Sequence, residues 1–345
     1  MSREYQDHPP IIVTGAAGFV GSNLVKGLNR AGHTDILAVD DLTDGRKFCN
    51  LVGADIADYW DKDLLLERLK GGLEFTPRCV FHQGACSVTT EWDGRYMMET
   101  NYHYSKELLH YCLDENVPFI YASSAAVYGK NSTFKEEPNN EKPLNIYGYS
   151  KLLFDNYVRR NYLAWRTTAY IREPQVVGLR YFNVYGPGEA HKAEMASVSF
   201  HLNQQVMADG EARLFQGSGD YRDGEQQRDF IHVEDVVKVN LWLLEHPEVH
   251  GIFNVGTGKA STFNEVADAV IAWHGRGRKR YIPFPKHIEN AYQSFTQADI
   301  TKLRSVGYDR SFLDIRVGVK SYLDALHKKV EENTPLPGDC LRPVQ

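Results

Sequence analysis

The stretch "IIVTGAAGFVGSNL", from Ile11 to Leu24, narrows the choice of fold more than any other part of the chain. An unbroken apolar run leads straight into Gly15, Gly18 and Gly21, and these open onto a helical pattern over about 18–31. Such a run reads as a strand buried on both faces. The first glycine allows a tight turn, the second a close backbone approach to a pyrophosphate, and the third close packing of helix on sheet. The start of the helix adds free N–H groups and partial positive charge. A bare strand–turn–helix junction also uses glycines, but here an acid follows at the right distance. This is Asp40, which ends the next apolar run, "DILAVD" (35–40).

The same rhythm continues. "CVFHQGA" (79–85), "PFIYASS" (118–124) and "VVGLRYFNVYG" (176–186) read as further strands, and "METNYHYSKELLHYCLDEN" has helical spacing. Apolar strands alternating with helices predict an α/β fold, a doubly wound parallel Rossmann sheet. After "YGPG" the pattern changes. Residues 187–230 read as polar and loop-rich, "GIFNVGTG" (251–258) as a returning strand, and "FNEVADAVIAWH" and "ADITKLRSVG" as short helices. The chain has 345 residues, long for one core, so two lobes are expected. The expected division is a dinucleotide-binding domain over 9–186, with returns near 230–256, and a smaller, interleaved C-terminal substrate lobe over 187–330.

A carboxylate at Asp40 accepts from adenosine ribose hydroxyls and repels a 2′-phosphate, which favours NAD. Arg46 and Lys47 follow in "DDLTDGRKF" and can pair that phosphate, which favours NADP. The residues alone leave the two cofactors open.

"LNIYGYSKLLFD" (144–155) holds two tyrosines ahead of one lysine. Residues four apart on a helix share a face, whereas residues two apart do not. Tyr147 therefore meets Lys151, and Tyr149 points away. A phenol near pKa 10 is a poor base. A neighbouring ammonium and the nicotinamide ring favour the phenolate and lower that value. Tyr147 can then exchange a proton with a sugar hydroxyl while hydride moves, and Lys151 can hold the nicotinamide ribose. Ser124, at the end of its strand, can polarise the same oxygen, while Ser123 points the other way.

Composition excludes several classes. The net charge of −6 gives no basic surface for nucleic acid. No apolar run approaches the roughly 18 residues that span a bilayer. The opening "MSREYQDHPP" lacks the apolar stretch of a signal peptide. The five cysteines are widely spaced without a CxxC pair, which predicts reduced thiols in a cytoplasmic setting. The histidines show no metal-binding spacing, so no metal is expected.

These residues resemble the extended short-chain dehydrogenase/reductase superfamily. "HQGACS", "TTEWDGRYMM", "YASSAAVYG", "LNIYGYSK", "RYFNVYGP", "HKAEMASVSFH" and "FTQAD" resemble one family within it, the ADP-L-glycero-D-manno-heptose 6-epimerases, from about residue 10 to about 328. That resemblance implies a cytoplasmic, NADP-holding homopentamer that inverts C6 of the ADP-heptose used for lipopolysaccharide core. It places cofactor contacts on Phe19, Val20, Asp40, Asp41, Lys47, Lys62, Gln83, Gly84, Ala85, Cys86, Ser87, Lys151 and Val184. It places substrate contacts on Asn183, His201, Phe215, Gln216, Gly217, Ser218, Arg228 and Tyr292. Glu194 stands where a serine often contacts substrate, Gln83 where the family usually has Glu, Ala16 where it has Gly, and Gly188 where it has Arg.

The resemblance also makes Lys192 a second acid/base, although on residues alone Lys192 is an ordinary loop lysine. Physical sense supports a second group. Hydride leaves one face of C6 and must return to the other, so the ketone turns over and its oxygen needs another proton donor. Arg228 offers a planar guanidinium suited to a diphosphate. A nucleotide-sugar 4-epimerase or ketoreductase is the alternative on this scaffold. A 4,6-dehydratase carries an acid pair where Ala125 and Ala126 stand, and a non-catalytic NADP sensor typically loses the Tyr or Lys that this chain keeps.

Overall fold

In the computed structural model, which describes residues 9–165, 173–284 and 293–331, the glycine-led run becomes β1 (Ile11–Thr14) and α1 (Phe19–Arg30). All of β1 is buried, and α1 buries Gly21, Leu24, Val25 and Leu28, one face at helical spacing. Next come β2 (Ile36–Asp40), β3 (Asp58–Asp61), α2 (Lys62–Gly71) and β4 (Cys79–His82). They are followed by α3 (Gly94–Met98), α4 (Tyr104–Asp114), β5 (Phe119–Ser124), α5 (Ile146–Asn161) and β6 (Val176–Tyr181). A π-turn, Glu99–His103, joins α3 to α4, so the single helix expected there carries a widened turn.

The remainder runs through β7 (Asn183–Tyr185), α6 (Val198–Asp209), β8 (Glu211–Phe215), β9 (Gln227–Arg228) and β10 (Phe230–His232). Then follow α7 (Val233–Glu245), β11 (Gly251–Val255), β12 (Ser261–Thr262), α8 (Phe263–His274), β13 (Arg278–Ile282), α9 (Thr301–Ser305) and α10 (Ile315–Glu331).

The main sheet has seven strands in the order β11-β6-β5-β4-β1-β2-β3. The β2–β1, β1–β4, β4–β5 and β2–β3 pairs are parallel. Strand order reverses between β1 and β4, the switch point at which doubly wound sheets bind ligands. Among the described residues the chain divides into a first unit (9–129, 136–180, 237–253) and a second (130–135, 181–236, 254–331). The first unit's core packs Ile12, Leu37, Val80, Phe119, Tyr121 and Phe154; the second unit's packs Tyr185, Phe200, Leu214, Phe230, Val266 and Tyr322.

Two sequence expectations need correction. The run 176–186 is two strands rather than one: β7 pairs in parallel with β10 in a small sheet of its own. Periodicity reports burial but not which strand is the partner. Residues 187–230 contain the helix α6, opened by the Ser197 N-cap, and the strand β8; polar residues on both sides of α6 hide its apolar stripe. Cys79, Cys86 and Cys112 are free thiols. Among the described residues no helix is long and apolar enough to cross a membrane.

Candidate active site

In the first unit, the expected residues begin at the turn between β1 and α1. Gly15 has φ +66°, and a Cβ on it would lie 2.6 Å from the Gly84 backbone nitrogen. A Cβ on Gly21 would lie 2.0 Å from the Gly15 carbonyl. Only glycine fits either position. Gly18 caps α1 without a side chain over the first N–H groups, and the first turn, with Phe19 and Val20, carries no acid. This cradle fits the phosphates of a dinucleotide.

At the end of β2, Asp40 is buried and both its oxygens are engaged. Oδ2 accepts from the Ala17 N–H (2.7 Å), and Oδ1 from the Asp41 N–H (2.7 Å) and the Lys47 ammonium. Asp40 thus braces the glycine turn, and Lys47 offsets its charge. Lys47 also donates to the Asp41 carbonyl at 2.6 Å. Lys62 pairs with Asp41 at 2.6 Å and holds that carboxyl well below the usual range. Arg46, expected to share Lys47's task, makes a two-pronged pair with Asp44 at the surface.

A line of hydrogen bonds runs from this turn toward α5. The Gly84 N–H donates to Thr14 Oγ1 (3.2 Å), which lies 2.6 Å from His82 Nδ1; His82 Nε2 lies 2.8 Å from Ser105 Oγ, which donates to the Asn101 carbonyl at 2.6 Å. Ser105 gives its proton to Asn101, so it accepts from His82 Nε2–H, and Nδ1 accepts from Thr14. His82 is thereby held neutral. Burial, with Lys151 as a lesser cause, lowers its pKa to about 3. In the π-turn, the Asn101 amide grips Cys86 by both backbone groups (2.8 and 2.9 Å) and reaches Ser150 Oγ at 3.1 Å. Ser150 in turn donates to the Tyr147 carbonyl at 2.7 Å. The 83–87 loop is so tied to the helix that carries Tyr147.

Asn145 caps α5, its side chain accepting from the Gly148 N–H at 2.8 Å, and this start sets the helical faces. Tyr147 is half-buried and hydrogen-bonded to Ser124, whereas Tyr149 is 47% exposed. Lys151 is buried and donates to the Ala122 carbonyl at 2.9 Å. Burial raises the Tyr147 pKa, Ser124 pulls it back, and Cys86 adds to the rise. Burial lowers Lys151 to about 8, with Asp155 opposing. Burial is the leading cause in both groups, because it disfavours the charged form.

Sequence reasoning passed over Asp155, one turn beyond Lys151. It is fully buried and accepts from Tyr121 (3.0 Å), Ser123 (3.0 Å) and Arg180 (2.9 Å). Ser123 therefore anchors the fold and Ser124 faces Tyr147, as strand alternation demands. A charged residue inside the apolar run "VVGLRYF" was the visible sign of this network. Asn101 and His82 left no such sign.

The second unit holds the other expected residues. Asn183 Oδ1 accepts from Thr296 at 3.2 Å, and Val184 follows it on β7. Lys192 is half-buried on the turn Ala190–Met195, where burial lowers its pKa and Glu189 opposes. Glu194 is exposed on that turn, and half-buried His201 lies on α6. Phe215 ends β8. The loop after it closes on itself: the Gly217 N–H donates to Asp223 (2.8 Å), and Gln226 reaches the Gln216 carbonyl (3.1 Å) and Ser218 Oγ (3.4 Å). An open pocket of about 940 Å³ lies against this loop, lined by Tyr221, Arg222, Asp223, Gln227 and Tyr281 among others. Arg228 is buried on β9 with its guanidinium over the Phe263 ring, 5.8 Å from its centroid. Tyr292 lies outside the described residues.

Comparison with known proteins gives the family. Residues 11–256 match the model of the NAD dependent epimerase/dehydratase family. An ADP-L-glycero-D-manno-heptose-6-epimerase of Alkalilimnicola ehrlichii is 58% identical over 317 residues, 92% of this chain and 97% of that one. The crystal structure of the Helicobacter pylori ADP-L-glycero-D-manno-heptose-6-epimerase is similar at TM-score 0.78 and 34% identity, covering 92% of this chain and 96% of that chain. MoeE5, solved with UDP-glucose and NAD, is similar at TM-score 0.71 and 26% identity, covering 93% and 99%.

Proposed function

This chain belongs to the NAD dependent epimerase/dehydratase family and within it to the ADP-L-glycero-D-manno-heptose-6-epimerases, and from that premise we propose that it inverts C6 of ADP-D-glycero-D-manno-heptose through a 6-keto intermediate. The observation that carries the reading is the Tyr147 phenol, hydrogen-bonded to Ser124 at the end of β5, with buried Lys151 one helical turn on.

A bound nicotinamide dinucleotide supplies the acceptor and donor of hydride. Ser124 hydrogen-bonds the C6 oxygen and polarises it as the ketone forms. Tyr147 takes the hydroxyl proton of one epimer and returns it. Lys192 does the same for the other; burial lowers its pKa, with Glu189 opposing. Lys151 holds the nicotinamide ribose. Asn183, His201, Glu194, Tyr292 and the 215–218 loop take the nucleotide sugar, and Arg228 its diphosphate.

We assign NADP as the cofactor. Lys47 offsets Asp40, Lys62 stands beside Asp41, and two ammonium groups at the end of β2 suit a 2′-phosphate. The same reading makes the protein a cytoplasmic homopentamer serving lipopolysaccharide core synthesis. The test is incubation with ADP-D-glycero-D-manno-heptose and NMR of the C6 configuration. Inversion is expected; an unchanged C6 signal with cofactor bound overturns the proposal.

A further inference from the structure

The segment from β7 to α6 folds back on itself around one carboxylate. Glu189 is fully buried. Its Oε1 accepts from Ser197 Oγ (2.7 Å) and the Gly186 N–H (3.4 Å), and its Oε2 from the Ser197 N–H (2.5 Å). Gly186 is where the segment leaves β7, and Ser197 is the N-cap of α6, whose hydroxyl also accepts from the Phe200 N–H at 3.3 Å. The carboxylate thus joins the two ends of a closed loop. Lys192 stands near its apex, its N–H donating to the Glu189 carbonyl at 2.9 Å.

The next residue, Ala193, has φ +48° and ψ −120°, a conformation that L-residues rarely adopt and that persists only where the surroundings impose it. It turns the chain back toward Ser197, and the Ala196 N–H donates to its carbonyl at 3.0 Å. A burial this complete is costly for a carboxylate unless donors meet it. Here the donors are the two loop ends. The Tyr322 hydroxyl, from α10, lies beside the carboxyl but falls short of full hydrogen-bond geometry. Lys192 and the Glu189 clasp therefore belong to one closed loop.

We propose that Glu189 is the positioning residue for Lys192: by clasping Gly186 to Ser197 it holds the strained turn at Ala193 and so fixes where the Lys192 amine stands. This rests on reading Lys192 as the second acid/base. Glu189 also raises the Lys192 pKa against the burial that lowers it, so clasp and lysine are coupled in charge as well as in shape.

The experiment uses the full chain with its cofactor and follows the first turnover of each C6 epimer by the absorbance of reduced nicotinamide. Lys192→Met marks which epimer depends on Lys192. Glu189→Gln keeps one acceptor oxygen and Glu189→Ala keeps none. Ser197→Ala leaves the carboxylate and removes one donor, so it carries the test if the Glu189 variants fail to fold. Glu189→Ala is expected to slow oxidation of the Lys192-dependent epimer about 10²-fold, the scale of a displacement of about 1 Å. Glu189→Gln and Ser197→Ala should lose less on the same epimer, and the Tyr147-dependent epimer should keep its rate in all three. Equal slowing of both epimers would make Glu189 a structural residue only and overturn the inference. So would an unslowed Lys192-dependent epimer in Glu189→Ala or, where that variant does not fold, in Ser197→Ala. If Lys192→Met slows neither epimer, the reading of Lys192 itself fails, and the inference falls with it.

Discussion

Replacing Asp155 by alanine should cost more stability than any single change at the surface. Asp155 and Arg180 are both fully buried, with Nε and Nη2 of the guanidinium 2.9 and 2.8 Å from one carboxylate oxygen. The change leaves Arg180 only Glu141 as a charged partner, at 2.6 Å, and it strips the acceptor from Tyr121 and Ser123. Breaking a buried ion pair by removing one member costs about 3–5 kcal/mol. The two stranded hydroxyls put this variant toward the upper end. Asp155→Asn, which keeps an acceptor for one hydroxyl, should lose less. The double variant Asp155→Leu with Arg180→Met should recover part of the loss, because it removes the unpaired guanidinium, while Tyr121, Ser123 and Glu141 still lack the partner they lost. Guanidinium unfolding followed by fluorescence and circular dichroism measures all three. A loss below about 1 kcal/mol in Asp155→Ala, the range of exposed pairs, would refute the reasoning. A double variant no better than the worse single would do so as well.

Tyr147→Phe should abolish epimerisation while retaining the cofactor, and Tyr149→Phe should be nearly silent; an initial-rate assay with the released nucleotide quantified checks both, and the opposite ranking would sink the face assignment. His82 predicts a pH slope: its folded pKa of about 3 lies below the unfolded value, so its contribution is fully present above about pH 6.5 and falls by about 1.4 kcal/mol per pH unit toward pH 3. Unfolding titrations across that window should show a steeper loss in the wild type than in His82→Gln. Mass spectrometry of the nucleotide released on denaturation should find NADP, and Lys47→Ala with Lys62→Ala should shift retention toward NAD; NAD alone in the wild type would contradict the assignment.

The first sheet was legible because its strands are continuous apolar runs and its turn needs glycine. β3 was not: in "DYWD" only Trp60 is buried, and an edge strand needs no more. The division of 176–186 was hidden because β6 and β7 are alike in composition and differ only in their partners. In the site, spacing alone selected Tyr147 over Tyr149, but spacing carries no information about dielectric, so the effect of burial on the phenol was not legible in it. The bracing residues Asp155, Asn101 and His82 come together only through the fold. Arg180, a lone charge in an apolar strand, was the clue to Asp155; Asn101 and His82 had none.

The alternation at the end of β5 sets a limit on how this gene can vary in length. Val80 stands opposite Phe119, Phe81 opposite Ile120, and His82 opposite Tyr121; counting on from that register puts Ser123 on Asp155 and Ser124 on Tyr147. Deleting or adding one codon in the turn before Phe119 leaves the register free to be restored by the loop. The same event between Tyr121 and Ser124 shifts both serines by one position: a deletion sends the reactive hydroxyl into the network, and an insertion sends the structural one to the chemistry. Indels within those few codons should thus be as damaging to activity as loss of Tyr147 itself, even where every residue type is kept.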